Sequence, residues 1–126
     1  MVEVEPGGDA VAEFFADVPL GQDVYDVLAG VVDGAGPATA RVTRSQVGFR
    51  RRTGFCWVWL PGRYLRAPAA QVVVSIALGR RDGSTRWKQV VRVTGRRWMH
   101  HLEVHDVAEL DDEVAGWVAE AYEGAV

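Results

Sequence analysis

Residues 38–60, ATARVTRSQVGFRRRTGFCWVWL, alternate side-chain character at period two through two break points. That pattern reads as successive β-strands turning back on each other. Ala38, Ala40 and Val42 alternate with Thr39, Arg41 and Thr43, which makes a half-buried first strand with a tight turn near Arg44 and Ser45. The next strand sets Val47, Phe49 and Arg51 on one face against Gly48, Arg50 and Arg52 on the other. Thr53-Gly54 is a hairpin signal, after which Phe55, Trp57 and Trp59 share a face opposite Cys56, Val58 and Leu60. A strand apolar on both sides belongs in the middle of a sheet.

The flanks differ in period. Val11, Phe14 and Phe15 fit a short helix that Asp9 would cap and Pro19 would limit. Leu20, Val24, Val27, Leu28 and Val31 form one helical stripe, closed by Gly34, Gly36 and Pro37. Val2 and Val4 allow at most a short edge strand in an otherwise flexible segment over residues 1–8. Residues 71–78 are the clearest further strand, residues 87–93 and 98–104 two more, and residues 62–70 a loop. Asp106 and Glu109 have capping-box spacing before a final helix with Leu110, Val114, Trp117, Val118 and Ala121 as its stripe. The expected fold class is α+β: a mostly antiparallel five- or six-stranded sheet packed against N-terminal helices and one C-terminal helix. At 126 residues, one domain spanning 1–126 is expected.

Charge is segregated along the chain. Residues 1–33 and residues 103–126 each carry eight acids and no Lys or Arg. All 14 basic residues lie between Arg41 and Arg97, with Asp82 the only acid in that span. Such asymmetry bears on surface potential and partners rather than on fold. Either acidic helices lie against a basic sheet and neutralise it, or a cationic face is left for an anion. A lone cysteine, Cys56, excludes an internal disulfide and a thiolate cluster, and in mid-strand it behaves as a small apolar residue. No targeting signal and no span of membrane length are visible, so a cytoplasmic protein with no membrane partner is expected.

Catalytic and cofactor signatures are absent: there is no Rossmann or P-loop glycine pattern and no nucleophile elbow around Ser45 or Ser75. No cofactor and no metal are expected. His101, Glu103 and His105 share a strand face, but i to i+4 on a strand spans about 13 Å, too far for both ends to chelate one ion. His100 reads as a core residue with a hydrogen-bonded ring. His100 and His101, with Ser45, are the weak candidates for acid–base work. Arg41, Arg44, Arg50, Arg52 and His101 are the candidate binding residues, since guanidinium forks suit phosphate or carboxylate and neighbouring aromatics suit stacking. Trp57, Trp59, Trp87 and Trp98 on one concave face would floor an apolar pocket.

The runs Val42-Thr43-Arg44-Ser45-Gln46-Val47-Gly48-Phe49-Arg50-Arg51, Phe55-Cys56-Trp57-Val58-Trp59, Arg96-Arg97-Trp98-Met99-His100-His101 and Asp111-Asp112-Glu113-Val114 resemble a small bacterial domain family of unknown function. Some of its members are loosely labelled predicted transport proteins. The resemblance covers residues 10–124 and implies the same helix, sheet, helix order. Ser45, Phe49, Arg51, His100 and His101 match its recurring positions, and it brings no activity to transfer. Three readings stay open: a ligand- or partner-binding module with a cationic, aromatic sheet surface, a nucleic-acid-associated accessory domain, and a small enzyme using His100 or His101. An anionic small molecule, nucleic acid, an acidic protein surface and a second copy in a homodimer are the partners to consider.

Overall fold

The computed structural model describes residues 2–4 and 9–126. They form strands β1 Val2–Val4, β2 Thr39–Val42, β3 Gln46–Arg50, β4 Gly54–Trp59, β5 Val72–Leu78, β6 Gln89–Thr94 and β7 Arg97–Val104. The helices are α1 Asp9–Phe14, α2 Pro19–Ala35 and α3 Asp112–Gly124. The strands make one antiparallel sheet in the order β1-β2-β3-β4-β5-β7-β6. Strands β2 to β7 and the flanking helices are those the periodicity implies. The seventh strand is the short edge through Val2 and Val4. Flexibility at Met1 and residues 5–8 is an expectation that lies outside the described residues.

Period two divides the sheet into two faces. Val47, Phe49, Cys56, Val58, Val72, Val74, Ile76, Leu102 and Val104 point into a core closed by Val24, Leu28, Val114 and Val118 of α2 and α3. Strand β5 is buried along its whole length, as its Val- and Ile-rich sequence requires. The connection from β5 to β6 passes over on the helix side. The turn at Gly95, with φ of 47°, then returns β7 into the slot beside β5. No helix among the described residues is long and apolar enough to cross a membrane.

Four details depart from the sequence pattern. The buried stripe of α2 is Gly21, Val24, Tyr25, Leu28 and Val32, and Val27 is 37% exposed. Tyr25 is drawn inward because its ring stacks on Phe49 at 5.3 Å, which rotates the stripe. A bulge opposite Arg50 inserts Phe55 as an extra residue in β4. Phe55 therefore packs edge-on against Tyr122 of α3 at 5.6 Å instead of sharing a face with Trp57 and Trp59. The Asp106 and Glu109 box closes a 3-10 turn over Val107–Glu109, with Asp106 accepting from the Ala108 N–H and Glu109 from the His105 N–H. Asp111 is the true cap of α3, accepting from the Val114 N–H at 3.1 Å. Finally, Trp87 and Trp98 do not join Trp57 and Trp59. Trp87 lies against Trp117 and His100 on the helix side, and Trp98, opposite Leu78 in the register, stands on that same side.

Gly36 ends α2 where the sequence places the stop. Its φ is 148°, and a Cβ there would stand 2.4 Å from the hydroxyl of Tyr122, which itself donates to the Pro37 carbonyl at 2.9 Å. One glycine thus serves both the helix end and the docking of α3.

Candidate functional site

The face of the sheet opposite the helices carries the polar and aromatic side chains of the same strands. One row of partners crosses it directly: Arg41, Gly48, Trp57, Ser75, His101 and Gln89, each opposite the next in register. Gly48 has no side chain to project, and the indole of Trp57 uses that space. Its Cδ1 lies 2.6 Å from where a Cβ on Gly48 would stand, and its Cζ2 lies 2.7 Å from one on Gly54. Trp57 therefore lies down across β3, half-buried, on a glycine-paved strand. Arg41, Arg50, Thr43 and Gln46 surround it in a hollow of 180 Å³. The Arg97 guanidinium sits 5.9 Å from the Trp57 ring centre and donates to the Gly54 carbonyl at 2.8 Å.

Two residues along β4, about 7 Å away, Trp59 heads a hydrogen-bond chain. Its Nε1–H donates to the Ser75 Oγ at 3.0 Å, and that Oγ lies 2.7 Å from His101 Nδ1. An indole only donates, so the arrangement that uses every proton has Ser75 accepting from Trp59 and donating to Nδ1. His101 is then left with Nε2–H as its outward donor. Burial, then the neighbouring His100, lower the His101 pKa and keep this ring neutral. His101 and Trp59 line a second hollow of 260 Å³ with Val73, Gln89 and Glu103, roofed at one end by Leu65 and Pro68. Ser75 itself is 4% exposed and pinned by the indole, so its hydroxyl orients the imidazole rather than facing solvent.

The arginines divide into two groups. Arg80 forks onto Glu120 and reaches Asp82, and Arg86 binds Asp111, Glu113 and the Glu109 carbonyl, so these two tie the β5–β6 connection to α3. Arg51 crosses to the helix side, over the Tyr122 ring and onto the Tyr122 carbonyl. Arg50 and Arg97, by contrast, make no ion pair among the described residues, and Arg50 bonds only the Arg52 carbonyl. The acids Asp23, Asp26 and Asp33 of α2 are solvent-facing on the opposite layer.

Of the residues singled out from sequence, Arg41, Arg50 and His101 come together on this face. Arg44 and Ser45 are exposed in the β2–β3 turn, where Ser45 bonds Thr43, and Arg52 is exposed in the β3–β4 bend. His100 is on the other face and inaccessible: Nδ1 bonds the Trp98 carbonyl at 3.1 Å and Nε2 accepts the Asp82 N–H at 3.0 Å. His105 is exposed beyond the end of β7. Cys56 is fully buried, which pushes its thiol up to about 12. Among the described residues no group of three His, Cys, Asp or Glu side chains could hold a metal ion. A hollow of 420 Å³ beside the end of α3 is lined by Ala77, Gly79, Gly95 and Ala121 together with Arg96 and Arg97, and its carboxylate, Glu120, is already held by Arg80.

The sequence reading missed the roles of Ser75 and Arg97 and the hydrogen bond from Trp59 to Ser75. A polar residue in the middle of VVVSIAL is the signal that pointed to Ser75, since a buried hydroxyl needs a partner. Nothing local pairs it with His101, 26 residues away.

A family model described as a domain of unknown function (DUF5655) matches residues 11–125. No curated protein and no solved structure matches the chain. With the match running from α1 to the end of α3, and so over the whole helix, sheet, helix order, the chain belongs to the DUF5655 family.

Proposed function

We propose that the domain is a binding module whose working surface is the helix-free sheet face and whose partner is anionic and carries a planar or apolar group. The observation that carries this reading is the pair Arg50 and Arg97, which flank the flat indole of Trp57 while making no carboxylate contact. Guanidinium offers a planar fork to phosphate or carboxylate, and an indole face accepts a ring or an apolar chain. His101 adds an outward N–H, and Trp59 adds an apolar wall. Single-stranded nucleic acid is the second reading, favoured by the exposed face of Trp57 beside cations. Neither His100, with both nitrogens bonded in the core, nor Ser45, out in a turn, supports an enzymatic role.

Indole N–H signals in NMR spectra test this. On titration with a nucleoside monophosphate, a short acidic peptide and a single-stranded oligonucleotide, at least one is expected to move the Trp57 and Trp59 signals. The double variant Arg50→Ala, Arg97→Ala is expected to weaken that binding by about tenfold or more, the loss of one or two charge-assisted hydrogen bonds. If the oligonucleotide is the ligand, log K falls against log salt with a slope of about −0.7 per phosphate contacted. Equal binding by the double variant, or no shift at either indole with any of the three, overturns the reading.

A further inference from the structure

We infer that an extended acidic peptide adds to the sheet along the open edge of β6 and places an apolar side chain in the Trp59–His101 hollow. This rests on the reading above and names its partner as a polypeptide. Strand β6 is the outermost strand on its side, paired only with β7. The Lys88 N–H bonds the His101 carbonyl at 2.8 Å, so the main chain of His101 faces β6, Gln89 opposite it is its hydrogen-bonded partner, and by antiparallel alternation Val91 also faces β7. Val90 and Arg92 then offer their N–H and C=O groups outward, where no other element among the described residues meets them. Val91 is 39% and Val93 54% exposed, and β6 contains no proline to block a further strand.

The edge is continuous with a cavity. Gln89 stands opposite His101 in the register, on the helix-free face, and both line the 260 Å³ hollow that runs back to Val73 and Trp59. A strand hydrogen-bonded to Val90 and Arg92 would lie about 4.8 Å outside β6, with every second side chain on the helix-free face. One such side chain stands at the mouth of the hollow. Main-chain hydrogen bonds would supply affinity, and the hollow would supply selectivity.

Charge selects the occupant. Lys88, Arg92 and Arg96 lie on or beside this edge with no ion pair among the described residues, and Arg92 bonds only the Gly95 carbonyl. Antiparallel pairing of two β6 strands would set these cations against their own copies, which disfavours a homodimer through this edge. The opposite edge of the sheet is not open. There β2 is covered by β1, an extended Val-Glu-Val, with Glu3 in register with Arg41. The edge at β6 has no such cover, and a segment alternating acidic with apolar residues matches it.

The probe is a blocked synthetic peptide, Glu-Val-Glu-Phe-Glu-Val, titrated into the full chain. Binding is expected to protect the amides of Val90 and Arg92 from hydrogen exchange and to shift the Trp59 indole. Replacing glutamate by lysine in the peptide should abolish it. Val90→Pro removes one outward N–H without breaking the β6–β7 ladder and should weaken binding about tenfold or more, whereas Val90→Thr should not. Ala69→Phe, an exposed loop position at the hollow, should weaken it too and serves should the proline variant fail to fold. Unchanged binding in both Val90→Pro and Ala69→Phe overturns strand addition, as does a peptide that shifts Trp57 alone. A doubled mass in sedimentation that Val90→Pro abolishes also overturns it, in favour of pairing between copies. If the peptide fails while the nucleotide still moves Trp57, strand addition falls and the anion-binding face stands.

Discussion

Truncating Trp117 to alanine is expected to cost about 3–5 kcal/mol of unfolding free energy, the usual range for deleting a buried tryptophan. Trp117 is 6% exposed and stands on the buried stripe of α3, against the β5–β6 connection. Its ring is 4.2 Å from that of Trp87, which in turn lies 4.8 Å from the His100 ring. On its outer side the Arg86 guanidinium stands 5.7 Å away, held there by Asp111 and Glu113. Removing the indole opens a cavity, strips a cation–π contact and leaves Trp87 without its neighbour. Because domains of this size carry only about 5–15 kcal/mol in total, the variant should be close to unfolding at ambient temperature. Urea titration reads this as a large drop in midpoint at unchanged slope. A loss below about 1 kcal/mol would mean that α3 is anchored elsewhere, with Tyr122 the next contact to examine.

Mild acid should weaken the domain through two of its histidines. His100 and His101 both have pKa values lowered, in each case first by burial. The folded state therefore binds fewer protons than the unfolded chain, whose histidines titrate near pH 6.5. Stability from these rings is fully present above that value and is lost as pH falls below it. The limiting slope is about 1.4 kcal/mol per pH unit for each ring. Between pH 7 and 5 stability is expected to decline. His100 should dominate, because protonating Nε2 sets an N–H against the Asp82 N–H that it now accepts. Asp82 does not contribute in this range. Burial would raise its carboxyl, but hydrogen bonds from Trp87, Ser84 and Arg80 outweigh that and hold it at about 2. Denaturation midpoints at pH 7, 6 and 5 check the expectation. A His100→Gln variant should show a shallower slope, and a wild-type profile flat across this window would sink the assignment of neutral, buried rings.

The elements that could be read from sequence are those fixed by neighbours along the chain. The Gly36-Pro37 stop of α2, the Val114, Trp117, Val118 and Ala121 stripe of α3 and the alternation in β2, β3 and residues 56–59 of β4 are local patterns, and each is where its pattern puts it. What depends on distant residues was hidden. The bulge at Phe55 follows from a hairpin whose Arg52 and Thr53 N–H groups both donate to the Ala125 carbonyl at the far end of the chain. Tyr25 displaces Val27 from the core because Phe49 supplies a ring to stack on, and helical period cannot register that. Charge segregation was plain in the sequence, yet which arginines reach carboxylates was not. Arg80 and Arg86 do so because the β5–β6 connection crosses on the side of α3, and this follows from the strand order. Ser75 and His101 face each other only because β7 inserts between β5 and β6.

The division of each strand into alternating inward and outward positions has a consequence for how such a domain can diversify. Cys56 and Val58 are held by the packed interior, while Trp57 and Trp59, their immediate neighbours, answer to whatever meets the opposite side. Odd and even positions are thus under separate demands within a single stretch of chain. Descendants can exchange one set for new recognition chemistry while the other keeps the architecture intact, so partner choice can drift without the scaffold having to be rebuilt.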